Sequence, residues 1–377
     1  MHSSNLDTII ALRHRLHQYP ELSMEEEGTI QMLTEFLKAY PDFRICQRAG
    51  WFYAIKEGKA EGRRIAFRAD MDALPIQEND ALPYCSCRPG VSHKCGHDGH
   101  SAALCGLAAE LSGRETENSV CLVFQPGEET GRGAALCREV LAQEQIEEIY
   151  AFHNLPGYPL GSLVYREGLT QPASQGLRLE LEGKYSHASA PEKGINPAEA
   201  LAKLVLLAGS LGGVPGGEMQ LCTVTGLKLG DGDFGISPGS GRIDLTLRAE
   251  REEEMDRMCS KLLAAAEDLA KQTGLKLRSE IWDRFPETRN HPQALAKVRE
   301  AAAGLGLPLI EMKELWRASE DFGHYLKICP GAIFYLGAGE DAPALHTAYY
   351  DFDDRILESA VDIFVSLAQG RLAPPAK

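Results

Sequence analysis

The sequence predicts an α/β protein in which a mostly parallel sheet with helices on both faces is interrupted by an inserted α+β sandwich domain. The chain has 377 residues, more than one hydrophobic core usually organises, so two domains are expected. Strand-like and helical segments alternate through the first 170 residues, which is typical of a parallel sheet covered by helices. Because this pattern changes near residue 171, we expect a main domain formed by 1–170 and 284–377, with 171–283 inserted.

The first part of the main domain begins with two helical patterns, over 5–18 and 24–39, with Ser23 as the expected cap of the second. Short apolar runs then predict strands, and they alternate with helical segments as parallel strands require. The predicted strands are 43–47, 51–58, 63–72, 119–125 and 149–155, and the further predicted helices are 99–113 and about 132–143.

The inserted segment has a different order of elements. Between Gln175 and about Trp282 it is predicted to form a strand, a helix (196–211), two strands, a helix (251–272) and a strand, the order of a small α+β sandwich. After a linker, "FPETRNHP", the main domain resumes with a strand at 332–337 and a helix at 356–369. The C-terminal segment is therefore expected to complete the first sheet.

A glycine-rich stretch in the inserted segment, "GDGDFG" at 230–235, matches the G-x-G-x-x-G pattern of dinucleotide-binding sites. Such a site needs a helix directly after the glycines, because the pyrophosphate binds at the helix N-terminus. Here Pro238 and two further glycines follow instead. We interpret the stretch as a hairpin loop.

Composition excludes several classes of function. The formal net charge of −15 opposes binding to nucleic acid and to anionic lipid. No segment approaches the roughly 18 apolar residues of a membrane span, and we find no export signal near the N-terminus. We therefore expect a soluble, cytoplasmic protein whose ten cysteines are thiols rather than a disulfide framework.

The stretch "HKCGHDGH" at 93–100 concentrates potential metal ligands. Cys95 and His97 are two residues apart, so in an extended loop their side chains leave on the same side and can bind one ion. A single Cys-x-His pair is weak support for a metal site, because loop histidines with ordinary partners are common. The prediction depends on further ligands converging on the same place.

Further candidate ligands follow other predicted strands. Glu128 and Glu129 follow one strand, His153 ends another and His346 lies beyond a third, while "RADMDALP" ends a strand with Asp70 and Asp72. In open parallel sheets, ligands bind beyond the carboxyl ends of the strands, so these side chains are expected to converge with the Cys-x-His pair.

Adjacent Glu128 and Glu129 predict a division of roles. Neighbouring side chains in an extended segment point to opposite sides, so one carboxylate can bind a metal while the other faces the water that the metal activates. The free carboxylate can then take the proton of that water and pass it to a leaving amine.

Several motifs together resemble a known family. In order along nearly the whole chain, they are "RADMDALP", "HKCGHDGHSA", "FQPGEE", "FHNLP", "HASAPEKGINP", "SEDFGHYL" and "PGAIFYLG". They resemble the dinuclear metal amidohydrolases that include hippurate hydrolases, N-acyl-amino-acid carboxypeptidases and hydrolases of auxin–amino-acid conjugates. The resemblance implies hydrolysis of the amide bond of an N-acyl amino acid or small peptide-like substrate.

The same resemblance implies roles for individual residues. It implies two divalent ions per chain (Zn, Mn, Ni or Co) and a homodimer formed through the inserted domain, which would act as a lid. The implied metal ligands are Cys95, His97, Glu129, His153 and His346; Glu128 is the implied general base and His187 the implied oxyanion donor; Asp72, Asp98 and Asp321 are implied to orient the ligating histidines; Asn196 and Arg248 are further candidates for substrate contact.

This chain also departs from the family pattern. Tyr185 and Ser186 precede His187 where the family usually has two small residues, Gly235 stands where an asparagine is expected, and "TAYY" follows His346. These departures leave the metal ligands intact and indicate altered substrate recognition.

A second interpretation uses four of the same or neighbouring residues. Cys85, Cys87, Cys95 and His97 form a C-x-C…C-x-H set of the kind that holds a structural zinc ion. In that case the chain would be an inactive binding or regulatory protein on a hydrolase scaffold. Glu128 argues against this alternative, because a structural site needs no free carboxylate beside it.

Overall fold

The computed structural model describes residues 1–79, 82–213 and 217–370, and the chain separates into two compact units. Unit 1 contains Met1–Thr170, Thr288–Leu315 and the residues from Glu320 onward, and unit 2 contains Gln171–Glu287 with Trp316–Ser319. Among the described residues, no helix is both long enough and apolar enough to cross a membrane.

The elements are numbered in chain order across both units. The helices are α1 Ser3–Gln18, α2 Glu27–Leu37, α3 His97–Leu111, α4 Gly133–Cys137, α5 Glu139–Gln143, α6 Ala198–Ser210, α7 Glu252–Thr273, α8 Pro292–Gly304, α9 Gly323–Leu326 and α10 Ile356–Gln369. The strands are β1 Arg44–Arg48, β2 Trp51–Lys56, β3 Arg64–Asp70, β4 Ser119–Gln125, β5 Glu148–Leu155, β6 Leu163–Tyr165, β7 Leu169–Gln171, β8 Ala173–Glu182, β9 Ser186–His187, β10 Gln220–Leu229, β11 Ile236–Ser237, β12 Ser240–Ala249, β13 Lys276–Phe285, β14 Thr288–Arg289, β15 Leu309–Glu311 and β16 Gly331–Gly337. Short 3-10 turns span Glu128–Thr130 and Pro191–Lys193.

Unit 1 is built on an eight-stranded sheet in the order β1-β2-β4-β3-β5-β16-β6-β15. Its central strands β4, β3, β5 and β16 are parallel neighbours, whereas β1, β2 and the β16–β6 pair are antiparallel. Strands β4, β5 and β16 are buried along their whole length, as parallel strands covered on both faces are. The predicted fold class, α/β with a mostly parallel sheet, is confirmed.

Helices cover both faces of this sheet. On β3, Phe67 packs into a core shared with α1, α3 and α10, and Ala66 packs into the opposite core with α5 and α9. Helix α3 approaches its neighbours closely at Gly106, where a Cβ would lie 2.7 Å from Val361 and 2.9 Å from Ile9. Because successive side chains of a strand point to opposite faces of the sheet, the same strands contribute to two separate cores, one on each face.

Two local predictions in unit 1 were wrong. The helix expected over 132–143 is divided into α4 and α5, because at Arg138 the bonding changes from Arg138 N→Ala134 O to the tighter Leu141 N→Arg138 O. Ser23 does not cap α2, which begins after Glu26. Its hydroxyl instead donates to Asp72 at 2.6 Å.

Unit 2 contains the antiparallel sheet β10-β12-β8-β13, with α6 and α7 packed on one face. Buried and partly exposed residues alternate along β8 and β12, as expected for a sheet with one covered face. The order β8, α6, β10, β12, α7, β13 is the predicted one. The loop "GDGDFG" connects the antiparallel partners β10 and β12, which confirms a hairpin connection. The short β9–β11 ribbon was not predicted.

Candidate metal centre

The candidate centre lies at the carboxyl ends of the parallel strands of unit 1. Strand β3 ends at Asp70, the turn after β4 carries Glu128, β5 carries His153, and the loop after β16 carries His346. Helix α3 begins at His97 in the same region. Parallel strands end at one edge of a sheet, so side chains that are distant in sequence meet there.

The structure brings the five predicted ligands together. The Sγ of Cys95 lies 3.4 Å from Nε2 of His153 and 3.3 Å from Nε2 of His346. The Oε1 of Glu129 lies 3.4 Å from Nε2 of His346 and 3.8 Å from Nε2 of His97. We call these five side chains the ligand cluster.

Two polar atoms of the ligand cluster lack a hydrogen-bond partner in the described part of the chain. The Nε2 of His97 and the Oε1 of Glu129 are buried and have no hydrogen-bond partner among the described residues. A buried polar atom without a partner costs free energy, so each such atom needs an explanation. Divalent cations fit this position, because thiolate, imidazole and carboxylate together form a borderline-soft donor set.

The electrostatics of the cluster also fit cations. Burial, together with the carboxylates of Glu320 and Glu129, raises the pKa of Glu128 well above its usual range. Burial, together with the carboxylates of Glu129 and Glu128, raises the pKa of the Cys95 thiol well above its ordinary value. Without cations the cluster therefore retains protons that a bound metal must displace.

Hydrogen bonds orient two of the predicted ligand histidines. The Nδ1 of His97 lies 2.9 Å from the backbone oxygen of Asp72 and 3.2 Å from its carboxylate. The Nδ1 of His153 lies 2.7 Å from the backbone oxygen of Asn154. Because a carbonyl oxygen only accepts, Nδ1 donates a proton in both rings, and each Nε2 faces the cluster.

The three acids predicted to orient ligating histidines occupy different environments. Asp72 contacts His97, and its other carboxylate oxygen accepts from the backbone N–H of Glu129 at 3.0 Å. Asp98 instead contacts Arg13 and His17, at 2.9 Å each.

Asp321 also lies away from the ligating rings. It accepts from Arg68, from Gln125 and from the backbone N–H of Ala134, and it groups with Glu128 rather than with a histidine. For Asp98 and Asp321 the sequence prediction of contact with a ligating ring is therefore corrected. Asp98 comes directly after His97 on α3, but its side chain points towards α1. Asp321 neutralises part of the charge of Arg68.

Sequence reasoning did not assign a role to a buried chain of polar residues behind the cluster. His100 contacts Asp70 through Nδ1 at 2.6 Å and Asn154 through Nε2 at 2.6 Å. Asn154 in turn donates to the backbone oxygen of Cys95 at 2.9 Å. Gly96 (φ 102°) permits this close approach, since a Cβ there would lie 2.5 Å from the Asn154 oxygen.

The charged residue Arg68 was also missed. It is buried within β3 and bonds Asp70 at 2.7 Å, Glu320 at 3.1 Å and Asp321 at 2.9 Å. The signal that could have found it is an arginine inside an apolar strand, since a buried charge needs carboxylate partners.

His187 belongs to unit 2, where it ends β9 and its backbone pairs with that of Ile236 on β11. Its side chain is exposed. The N–H of Ser189 donates to Nδ1 of His187 at 3.1 Å, and the Ser189 hydroxyl lies 2.7 Å from the same nitrogen. In the neutral ring, the acceptor role of Nδ1 leaves the proton on Nε2.

The other two candidates in unit 2 are engaged in local hydrogen bonds. Asn196 donates to Ser237 at 3.1 Å and accepts from the backbone N–H of Ala198, at the start of α6, at 2.8 Å. Arg248 donates to the Ser319 hydroxyl at 2.9 Å. Substrate contact by either residue stays a prediction.

The alternative structural zinc site loses two of its four ligands. Among the described residues, the groups of potential ligands that include Cys95 or His97 are completed by His153, Glu129 and other acids or histidines, and none includes Cys85 or Cys87. Cys87 is exposed, and Cys95 and His97 are buried. The C-x-C pair therefore lies outside the cluster, and the structural zinc alternative is wrong.

Comparison with known families identifies the fold and the class of chemistry. Residues 66–370 match peptidase family M20/M25/M40. The chain belongs to this family. The predicted resemblance to metal-dependent amidohydrolases is confirmed, and the chain is an enzyme of that class.

Relatives of this M20 family chain include proteins named as deacetylases. The N-acetyl-L-cysteine deacetylase of Bacillus subtilis is 31% identical over 372 residues, which cover 96% of this chain and 89% of the relative. The N-acetyldiaminopimelate deacetylase of Exiguobacterium sibiricum is 27% identical, with 95% and 98% covered. A crystal structure of a dinuclear metal-binding peptidase of the M20 family, also from Bacillus subtilis, aligns with a TM-score of 0.82, 26% identity, and 98% and 99% coverage.

Proposed function

We propose that this M20 family enzyme hydrolyses the amide bond of an N-acyl amino acid or a small peptide-like substrate, with two divalent metal ions held by the ligand cluster. The observation that carries the proposal is the pair of unpartnered buried atoms, Nε2 of His97 and Oε1 of Glu129, 3.8 Å apart among three further ligands. The deacetylase names of the relatives support the same substrate class.

Glu128 is the proposed general base. Its Oε2 lies 4.0 Å from Nε2 of His97, and it neighbours the ligand Glu129 along the chain. When bound, the metal ions polarise the amide carbonyl and acidify a water molecule. Glu128 accepts a proton from the attacking water and delivers it to the leaving nitrogen.

His187 is the proposed oxyanion donor. Ser189 occupies Nδ1, so the exposed Nε2–H of the neutral ring is available to the oxygen that becomes negative when water attacks the amide carbonyl. A donor of this kind stabilises the transition state more than the bound substrate. In this proposal unit 2 acts as a lid, and His187 serves the cluster of its own chain or that of a second copy.

A homodimer formed through unit 2 is part of the proposal. Strand β10 is an edge strand of its sheet, and it carries the exposed apolar side chains Leu221, Leu227 and Leu229. An edge strand with exposed apolar residues favours pairing with another chain. We keep the cytoplasm as the expected location.

The test is a substrate screen with metal-reconstituted protein. Chains loaded separately with Zn, Mn, Ni or Co would be incubated with N-acetyl, N-benzoyl and N-indolylacetyl amino acids, and the free amine would be measured. We expect hydrolysis by the loaded protein, loss of activity on chelation, and two ions per chain by elemental analysis. Fully active protein with only trace metal would contradict the proposal.

The same protein allows a pH test of the thiolate ligand. Because Cys95 must lose its proton to bind metal, metal affinity is expected to fall as the pH is lowered. Metal affinity would be measured by competition with a chelator at several pH values. An affinity independent of pH would remove the thiolate from the ligand set.

A further inference from the structure

A strained segment before α2 lies against the turn that carries Glu128. Met24 has a positive φ of 69°, a conformation that is uncommon for residues other than glycine, asparagine and aspartate. Such conformations cost free energy and persist where the surroundings hold them in place. The segment 21–26 is therefore fixed by contacts rather than by its own preference.

Those contacts connect the segment to the candidate centre at two points. The backbone N–H groups of Met24 and Gly127 donate to the same carboxylate oxygen of Glu26, at 2.9 and 2.8 Å. The Ser23 hydroxyl donates to Asp72, which also accepts from the backbone of Glu129. The position of Met24 is thus set by groups next to both Glu128 and Glu129.

The side chain of Met24 packs directly on the turn that carries Glu128, yet it is partly exposed to solvent. A Cβ added to Gly127 would lie 2.6 Å from the sulfur of Met24, so the thioether covers the residue that precedes Glu128. Even so, Met24 is 36% exposed. Met24 is therefore an apolar, partly exposed side chain on strained backbone, next to the turn that carries the proposed base. A side chain in this position is a candidate for contact with substrate.

We infer that Met24 forms the wall of the substrate site against which the acyl group packs. This inference rests on the proposed function. An N-acyl amino acid has one charged half, its carboxylate, and one uncharged half, its acyl group. The segment ELSMEE contains no cation that could pair with the carboxylate half, and the nearby Arg88 is already paired with Glu21 at 3.1 Å. Such a wall offers the carboxylate half no partner, whereas a flexible thioether accommodates apolar groups of varied shape.

The inference predicts a change in acyl-chain preference. The measured quantity is the ratio of kcat/KM for the N-hexanoyl and N-acetyl derivatives of one amino acid, with metal-loaded protein. Met24→Ala and Met24→Gly should lower this ratio about tenfold, because the longer chain loses an apolar contact that acetyl is too short to make. Met24→Leu, which conserves volume, should keep the ratio within about threefold of the wild-type value.

Two controls separate this effect from changes in folding. Met24→Gly is expected to fold, because glycine adopts the left-handed conformation without strain. Gln145→Gly makes the same exchange at another exposed residue of positive φ (52°), before β5 and so at the opposite edge of the sheet. Its ratio should equal that of the wild type, and metal content should be unchanged in all variants.

The outcomes distinguish this inference from the function on which it rests. A wild-type enzyme that cleaves both compounds, with an unchanged ratio in Met24→Ala and Met24→Gly, would overturn the role of Met24 and leave the proposed function standing. Failure of the loaded wild-type enzyme to cleave any N-acyl amino acid would overturn both.

Discussion

The ligand cluster of unit 1 and the His187 loop of unit 2 differ in how their polar atoms are satisfied. In the cluster, Nε2 of His97 and Oε1 of Glu129 are buried without partners, and acidic neighbours surround them. In the loop, His187 is exposed, and Ser189 occupies one ring nitrogen. Water can satisfy the other nitrogen of His187, whereas the two buried atoms of the cluster are proposed to be satisfied by divalent ions.

In the proposed mechanism, this difference assigns metal binding to unit 1 and contact with the transition state to unit 2. The buried atoms of the cluster would depend on cations, and hydrogen bonds to His97 and His153 hold those two rings in place. The exposed His187 would contact the substrate after it binds. The comparison therefore separates residues whose loss should affect metal from residues whose loss should affect turnover alone.

The largest effect should come from Glu128→Gln, which preserves size and hydrogen bonding but cannot accept a proton. We expect normal folding and normal metal content, with turnover reduced by about two to four orders of magnitude. Turnover and elemental analysis would be measured on the same preparation. Glu129→Gln is the matched control, and it should lose metal. Metal loss in Glu128→Gln instead would exchange the two roles.

The second largest effect is expected for His187, the exposed residue of the comparison. His187→Ala should lower kcat about a hundredfold or more, because an oxyanion donor acts on the transition state, while metal content stays at the wild-type value. A kcat close to that of the wild type would exclude His187 from catalysis.

Mixing variants tests whether His187 acts across a dimer. Inactive His187→Ala chains and inactive Glu128→Gln chains would be combined under conditions that exchange subunits, so that some pairs contain one intact base and one intact donor. Recovered activity is expected if the donor comes from the second chain. With exchange demonstrated, absence of recovery would restrict His187 to its own chain.

A smaller effect is expected when the substituted residue orients a predicted metal ligand and does not bind the metal itself. Asp72→Asn weakens the contact with His97 and should reduce metal affinity about 10- to 100-fold. Asp98→Asn is the control, because Asp98 contacts Arg13 and His17 instead. It should lower the free energy of unfolding, measured by chemical denaturation, with metal affinity near that of the wild type. Equal losses of affinity would mean that the two acids are not distinguished by their contacts.

The smallest effect concerns Asn196 in unit 2. Its side chain accepts the first free N–H of α6, so Asn196→Ala should reduce the free energy of unfolding by about 1 kcal/mol. Thermal unfolding and KM would be measured together. An unchanged unfolding midpoint would show that the cap contributes nothing, and a KM raised tenfold would support the predicted substrate contact.

Much of the fold followed from local patterns. Uninterrupted apolar runs predicted β4, β5 and β16, and the changed order of strands and helices after residue 171 predicted an inserted α+β domain. Residue types at strand ends predicted that these polar side chains converge, and the family resemblance selected the five side chains of the ligand cluster among them. The fold class was predicted correctly because periodicity and chain order are local properties that the sequence displays directly.

What only the tertiary structure decided are the partners of buried charges. Asp98 follows a ligand in the sequence, yet it pairs with Arg13, 85 residues away. Arg68 pairs with Asp321, 253 residues away. The positive φ of Met24 likewise depends on Glu26 and on the turn after β4. A sequence shows which groups are charged or flexible, but the free energy of burying them depends on which distant groups the fold brings within hydrogen-bonding distance.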